Sequence, residues 1–141
     1  MEPTKVQADA LAELLDLTSR LLHSRGYAMD LFPAQWVALR YFAKAPTEKR
    51  TSSELARFQG LANGPVSRTV RTLIIKGLVT KSATQPKGRA EILELTSAGQ
   101  AMMRADPLID IATILGALPR DERAVLAVAL ERILRSMHDI Q

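Results

Sequence analysis

Apolar residues recur at helical spacing near the start of the chain. From Val6 to about Ser24 they follow two lines, one through Val6, Ala10, Leu14, Leu17 and Leu21 and the other through Leu11, Leu15 and Leu22. Together these lines make a stripe that is too wide for one contact surface. We therefore predict a first helix, ended by Gly26, that either lies deep in the fold or meets a second chain.

A second helix is predicted from Phe32-Pro33 to about Ala43. Pro33 suits the first helical turn, where no backbone amide donor is required. This segment holds most of the aromatic area of the chain, in Trp36, Tyr41 and Phe42. Trp36 has two interpretations, a core residue or the wall of an effector pocket, and we favour the core.

The polar stretch 45–50 predicts a loop, and a helix start comes directly after it. Thr51-Ser52-Ser53-Glu54 matches a capping box, in which the threonine hydroxyl accepts a hydrogen bond from the amide three residues on and Glu54 reaches back. A short helix should come next, with its apolar side chains facing inward: Leu55, Ala56 and Phe58.

A glycine-containing break at 59–64 separates this helix from the next, which is predicted from roughly Asn63 to Lys76 with Asn63 as its N-cap. Its apolar residues Val66, Val70 and Leu73 share one face. The opposite face carries Ser67, Arg68 and Arg71. Two short helices joined by a tight turn, the second displaying Arg and Ser, are typical of a helix-turn-helix.

After Gly77 the period of the pattern changes. Residues 78–84 and 90–95 alternate in part, and the turn-forming sequence Gln85-Pro86-Lys87-Gly88-Arg89 lies between them. This pattern predicts a β-hairpin, placed like the wing of a winged helix.

Two further helical segments complete the chain. One starts at Thr96-Ser97 and runs toward Gly116, with Pro107 expected to kink or split it. The last starts at Leu118-Pro119 and again has a broad apolar surface. The predicted fold is mainly α-helical with a small β-hairpin, in a single domain over residues 1–141.

Positive charge is concentrated in the middle of the chain. Residues 49–89 contain nine basic side chains and one acid, a net charge of +8 within a protein whose total is +4. The rest of the chain is therefore acidic, with a net charge of −4. Since the basic segment coincides with the helix-turn-helix and hairpin, we predict that this patch binds DNA.

Other classes of function find little support in the sequence. The chain has no cysteine, which excludes disulfides, thiolate metal sites and thiol redox sensing. His23 and His138 have no acid nearby at a metal-ligand spacing, so we predict no metal and no cofactor. No phosphate-binding loop, nucleophile elbow or catalytic carboxylate pair is present, so no enzyme is expected. No signal peptide or membrane-spanning segment is expected either, which predicts a cytoplasmic protein.

Several motifs in one register give the chain a family resemblance. They are Glu54-Leu55-Ala56, Val66-Ser67-Arg68-Thr69-Val70, Lys76-Gly77-Leu78-Val79, and Arg89 followed six residues later by Leu95-Thr96. In these motifs the chain resembles the MarR family of winged-helix transcription regulators. The resemblance implies a winged helix-turn-helix lobe at about 46–96. It also implies a homodimer held by N- and C-terminal dimerisation helices at about 4–30 and 97–141.

The resemblance also implies roles for particular residues. Base-edge reading in the major groove would fall to Ser67, Arg68 and Arg71, with Asn63 near the helix start. Arg89 would enter the minor groove from the wing, and Thr51 and Ser52 would lie near backbone phosphate. The chain departs from the family at Lys87, where an aspartate is usual; the lysine adds another charge that attracts phosphate.

We therefore predict a cytoplasmic, dimeric, sequence-specific DNA-binding regulator. A pseudo-palindromic operator in double-stranded DNA is the expected partner, and the family resemblance implies a repressor released by a small-molecule effector. Two alternatives remain open at this point: a winged-helix module that binds another protein, and a non-specific architectural DNA binder.

Overall fold

The computed structural model describes residues 6–86, 88 and 90–140. This part of the chain forms seven α-helices and one antiparallel pair of strands, in the order α1 (Ala8–Arg25), α2 (Pro33–Lys44), α3 (Ser52–Gln59), α4 (Asn63–Ile75), β1 (Val79–Lys81), β2 (Leu93–Leu95), α5 (Ser97–Met102), α6 (Leu108–Gly116) and α7 (Arg120–Asp139). Short 3₁₀ turns cover Thr47–Lys49 and Met103–Ala105. The predicted fold class, mainly α with a small hairpin, is confirmed. None of the described helices is long and apolar enough to cross a membrane.

The chain divides into two compact units between Asp106 and Pro107. Pro107 thus splits the long helix predicted from Ser97 toward Gly116, since α5 ends before it and α6 starts directly after it. The first unit holds α1 to α5 and the hairpin, and the second holds α6 and α7. The boundaries of a DNA-binding lobe and of dimerisation helices stay predictions.

A core of aliphatic and aromatic side chains fills the first unit. Trp36, Leu39 and Phe42 of α2 meet Leu55 of α3 and Leu73 of α4, and all five are essentially inaccessible to solvent. The indole N–H of Trp36 donates to the carbonyl of Ala28 at 3.2 Å. The structure therefore supports the core interpretation of Trp36, because a buried indole with a satisfied N–H has no face open to a ligand.

The wing is a short antiparallel pair in which Val79 lies opposite Leu95, and Lys81 opposite Leu93. One further backbone hydrogen bond, from the amide of Ser82 to the carbonyl of Ile92 (2.8 Å), extends the pairing beyond the strands. On the other side of β2, the Leu93 amide donates to the carbonyl of Arg50 at 2.8 Å. Both strands are shorter than the predicted segments 78–84 and 90–95.

Helix α5 packs against the start of the wing through Gly99. A methyl group built on Gly99 would lie 2.1 Å from the carbonyl oxygen of Leu78, far inside contact distance. The hydroxyl of Thr96 caps this helix by accepting from the Gly99 amide at 3.0 Å, and it donates to the carbonyl of Gly77 at 2.6 Å. The wing and α5 are therefore held together by backbone contacts that leave no room for a side chain.

Helix α1 exposes every residue along its length, including its leucines. Leu14 and Leu21 are 59% and 60% exposed. In the second unit, α7 likewise exposes a row of large apolar side chains: Val125, Val128, Leu130, Ile133, Leu134 and Met137. Of the two alternatives for the first helix, the structure excludes a deep position within the first unit and leaves an apolar face on α1 that is free for a second chain.

Two local predictions were wrong. Phe58 is 64% exposed rather than inward-facing, and its ring lies against Tyr41 at the surface with ring centroids 5.2 Å apart. Asn63 is not the N-cap of α4, because Ala62 has the extended conformation of a cap and Asn63 is already the first helical residue. No side chain caps this helix end, so the Asn63 amide group faces solvent.

Candidate nucleic-acid interface

The first helix of the motif, α3, is anchored at its N-terminus by Thr51. The Thr51 hydroxyl accepts a hydrogen bond from the amide of Glu54 at 3.1 Å, as the capping box predicts. Glu54 does not reach back; its carboxylate pairs with Arg57 at 3.0 Å. Thr51 is buried (6% exposed), so its hydroxyl serves the helix end, whereas Ser52 beside it remains partly open to solvent.

The turn between α3 and α4 depends on Gly60. This residue ends α3 in the left-handed conformation, with φ of 67°, and its amide bonds back to the carbonyls of Ala56 and Arg57. A side chain would meet no neighbour there, so the requirement for glycine comes from the backbone conformation alone. The turn places α4 across α3 with the apolar faces of both helices in the core.

Helix α4 has one buried and one exposed face, as predicted. Val66, Val70 and Leu73 are at most 4% exposed, while Arg68 and Arg71 project into solvent. Neither arginine forms an ion pair with any acid in the part of the chain that the structure describes. Both guanidinium groups are therefore available to an external anion.

A groove brings together three of the residues predicted from the sequence. Ser52 from the start of α3 and Asn63 and Ser67 from α4 all line it. Its opposite wall is formed by the wing, through Ala90, Glu91 and Leu93. Arg68 and Arg71 do not line this groove, and neither does Thr51, which is buried.

Ser53 and Glu91 also line this groove, although no sequence pattern selected them for a functional role. Ser53 could have been noticed as the third member of the capping box. Glu91 is held by an ion pair with Lys81 at 3.1 Å, which places a carboxylate on the wing wall. Lys87 and Arg89 at the wing tip lie outside the described residues.

The basic side chains around this surface differ in their partners. Lys76, at the end of α4, donates to the backbone carbonyl of Asp30 at 2.5 Å and is thereby directed toward the turn before α2. Lys81 is paired with Glu91, and both side chains are more than half exposed, so the pair is weak. The unpaired positive charge on the described part of α4 therefore comes from Arg68 and Arg71.

No group of three His, Asp or Glu side chains within residues 6–86, 88 and 90–140 is arranged to hold a metal ion. His23 instead contacts the ring of Tyr27 edge-on, with centroids 5.7 Å apart, and His138 lies exposed near the end of α7.

Comparison with known proteins finds similar sequences and folds. The MarR family model matches residues 29–90, from the turn before α2 to the wing. The crystal structure of the transcriptional regulator PA3341 is 26% identical in sequence, with a TM-score of 0.70, and the match covers 92% of this chain and 98% of that chain. Over residues 29–90 the chain resembles the MarR family.

Two further solved structures share the fold over nearly their whole length. The S. aureus MepR–DNA complex is 18% identical, with a TM-score of 0.71, over 93% of this chain and 96% of that one. Wild-type apo MarR from E. coli is 23% identical, with a TM-score of 0.65, over 93% and 99% of the two chains. The matches extend beyond the segment found by the family model, because each also includes the terminal helices.

Proposed function

We propose that this chain is a MarR-family, sequence-specific DNA-binding transcription regulator that acts in the cytoplasm as a homodimer. The observation that carries the proposal is the exposed face of α4, where Arg68 and Arg71 stand opposite a fully buried stripe and have no acidic partner in the described structure. They lie within a segment whose net charge is +8. A polyanion is the partner that such a face fits.

In the proposed complex, α4 enters the major groove of DNA. There Arg68 and Arg71 can donate pairs of hydrogen bonds to guanine edges, and Ser67 and Asn63 can contact neighbouring bases. Ser52 and the start of α3 face the phosphate backbone, with Thr51 acting by fixing that helix end. Arg89 and Lys87 of the wing supply the minor-groove and phosphate contacts.

The dimer is supported by the apolar faces of α1 and α7. Each exposes several large aliphatic side chains to solvent, which is unfavourable unless another chain covers them. A two-fold dimer carries two copies of α4, so it reads two half-sites about one helical turn apart. The expected operator is therefore a pseudo-palindrome.

Release of the DNA by a small-molecule effector is part of the proposal, and the resemblance to the MarR family supports it. An effector that binds one spacing of the two α4 helices better than another shifts the dimer toward that spacing. Repression relieved by a ligand follows if the favoured spacing misses successive major grooves.

The test is selection of bound fragments from random double-stranded DNA by the purified protein, followed by binding measurements across a salt series. We expect a symmetric motif with two half-sites and an affinity that falls steeply with salt, because cations are released from neutralised phosphates. Recovery of fragments without a shared motif, together with salt-sensitive binding, would indicate an architectural DNA binder instead.

A protein-binding module is the second candidate, since the lobe exposes several apolar side chains. Phe58, Leu61 and Ile75 are 64%, 53% and 78% exposed. If the purified protein retained no DNA even in dilute buffer, these side chains would become the leading site and the DNA proposal would be wrong.

A further inference from the structure

The side chain of Gln85 closes the base of the wing tip. Its amide nitrogen donates to the carbonyl oxygens of Ser82, at 2.9 Å, and of Ile92, at 2.8 Å. Its amide oxygen accepts from the backbone N–H of Ile92 at 2.8 Å. One side chain therefore makes three hydrogen bonds, all of them to backbone groups of the two arms of the hairpin.

These hydrogen bonds resemble those of one residue pair in an antiparallel sheet, with the side-chain amide of Gln85 in place of a backbone peptide group. A glutamine amide has a donor and an acceptor arranged like those of a peptide group, so it can bond both the N–H and the C=O of Ile92 as a neighbouring strand would. Ile92 is only 5% exposed, and without Gln85 its amide would lose the partner that the structure gives it. A buried amide without a partner is unfavourable, so the contact should persist in solution.

Gln85 stands directly before the basic tip of the wing. The tip leaves at Pro86, immediately after Gln85, and returns at Ala90, two residues before Ile92. The sequence places Lys87 and Arg89 in this short segment, on either side of Gly88. Gly88 has the left-handed conformation, with φ of 69°. Gln85 thus fixes both ends of the segment that carries the basic residues of the wing.

We propose that Gln85 is a positioning residue for DNA binding by the wing. Its hydrogen bonds hold the base of the tip in one conformation in the free protein. Less conformational entropy is therefore lost when the wing binds DNA. The inference rests on the proposed function, and it makes Gln85 act through Arg89 rather than by touching DNA itself.

The test is a double-mutant cycle between Gln85→Met and Arg89→Ala. Methionine keeps the length of the side chain but removes the amide donor and acceptor. Thr84→Met is the matched control, because it places the same side chain on the adjacent exposed position and leaves the Gln85 contacts in place. Affinities are measured by fluorescence anisotropy on the palindromic duplex recovered by selection, alongside melting temperatures and amide exchange of Ile92.

We expect Gln85→Met to weaken DNA binding about tenfold, because the tip of the variant must be ordered during binding. In the Arg89→Ala background the same change should weaken binding no further. The Ile92 amide should exchange faster, the melting temperature should fall by several degrees to a similar extent with and without Arg89→Ala, and Thr84→Met should bind like the parent. Gln85→Asn, which is one methylene too short to reach both arms, should reproduce this pattern if the methionine variant folds poorly.

Three outcomes would overturn the inference while leaving the proposed function intact. In the first, Gln85→Met binds the duplex like the parent. In the second, Gln85→Met and Arg89→Ala weaken binding independently, so that the double variant loses affinity by the product of the two factors. In the third, Thr84→Met weakens binding as much as Gln85→Met. If the parent protein itself failed to bind any duplex, the proposed function would fall, and the role of Gln85 with it.

Discussion

Arg40 and Asp106 are 66 residues apart in sequence and form a bidentate ion pair, with N–O distances of 2.8 and 2.7 Å. Asp106 is 9% exposed and is the last residue of the first unit. The guanidinium of Arg40 bonds both oxygens of the carboxylate, the fork geometry in which arginine binds carboxylates best. The pair therefore fixes the end of the first unit to the middle of α2.

Replacing Asp106 with Asn should lower the free energy of unfolding by about 3 kcal/mol, because it leaves a poorly hydrated guanidinium without its counter-charge. Urea denaturation measures this loss. Asp16→Asn is the control, since it breaks an ion pair with Arg20 in which both side chains are more than half exposed. That change should cost about 0.5 kcal/mol at most. Equal stability of the two variants would contradict a structural role for the Asp106 pair.

Gly99→Ala should destabilise the protein by about 2 kcal/mol or more, because its methyl group would meet the Leu78 carbonyl and force the wing away from α5. Thermal unfolding followed by circular dichroism gives the measurement. Gly116→Ala is the matched control, because no atom lies within 4 Å of the added methyl group. It should be neutral or slightly stabilising, as alanine is the better helix former. A tolerated Gly99→Ala would show that the contact between α5 and the wing relaxes easily.

Arg71→Ala and Arg68→Ala should weaken binding to the selected palindrome by roughly 5- to 100-fold and relax the preference at particular base pairs. Arg89→Ala should instead weaken binding to most sequences and reduce the salt slope by about one. Competition binding against duplexes with single base changes distinguishes a loss of base preference from a loss of affinity for all sequences. Arg120→Ala removes one exposed charge from the start of α7 and should leave binding unchanged. If it weakened binding as much as Arg71→Ala, total charge rather than α4 would explain the affinity.

Leu134→Glu should convert the dimer to a monomer, because it places a charge in the apolar face of α7, where Leu134 is 58% exposed. Sedimentation velocity measures the change in mass, and binding to the palindrome should fall with it. Ile75→Glu introduces the same charge on α4, at a side chain that is 78% exposed, and should leave the dimer intact. A Leu134→Glu protein that remained dimeric would place the interface elsewhere.

The pKa of Tyr41 is raised above its ordinary value of 10.0, first by burial and then by the nearby Glu54 carboxylate, against an opposing effect of Arg57. The folded state thus favours the neutral phenol, whose hydroxyl donates to the carbonyl of Lys49 at 2.6 Å. This contribution to stability is complete below pH 10 and is lost as the pH rises through the higher folded-state pKa. In a Tyr27→Phe variant Tyr41 is the one remaining tyrosine, so its ultraviolet absorbance should show a titration midpoint above pH 10. A midpoint at or below that value would contradict the assignment.

Much of the fold could be predicted because its elements follow local rules. The Thr51 cap, the turn at Gly60 and the stripe of Val66, Val70 and Leu73 each depend on residues close in sequence, and each was found where the pattern placed it. Pro107 split its helix for the same reason. The two-sided apolar pattern of α1 fits either a deep position or contact with a second chain, and the exposure of the helix within the first unit favours the second.

The errors arose where a tertiary contact decides the outcome. Phe58 was assigned to the core by its apolar character, yet the short α3 already fills its core positions with Leu55 and Ala56. At Asn63 the cause is local: its side chain suits a cap, but the backbone enters α4 one residue earlier. The Arg40–Asp106 pair and the Gln85 contacts gave no periodic signal, because single side chains meet backbone or charge from another part of the fold.

The position of β2 has a consequence for the behaviour of the protein at high concentration. It is bonded to β1 on one side, and the Leu93 amide bonds to Arg50 on the other, so β2 offers no long unpaired row of amides. The outer side of β1 is only three residues long and carries Lys81. Short, charged edges of this kind resist the addition of foreign strands. The edges of the wing strands should therefore be poor starting points for aggregation.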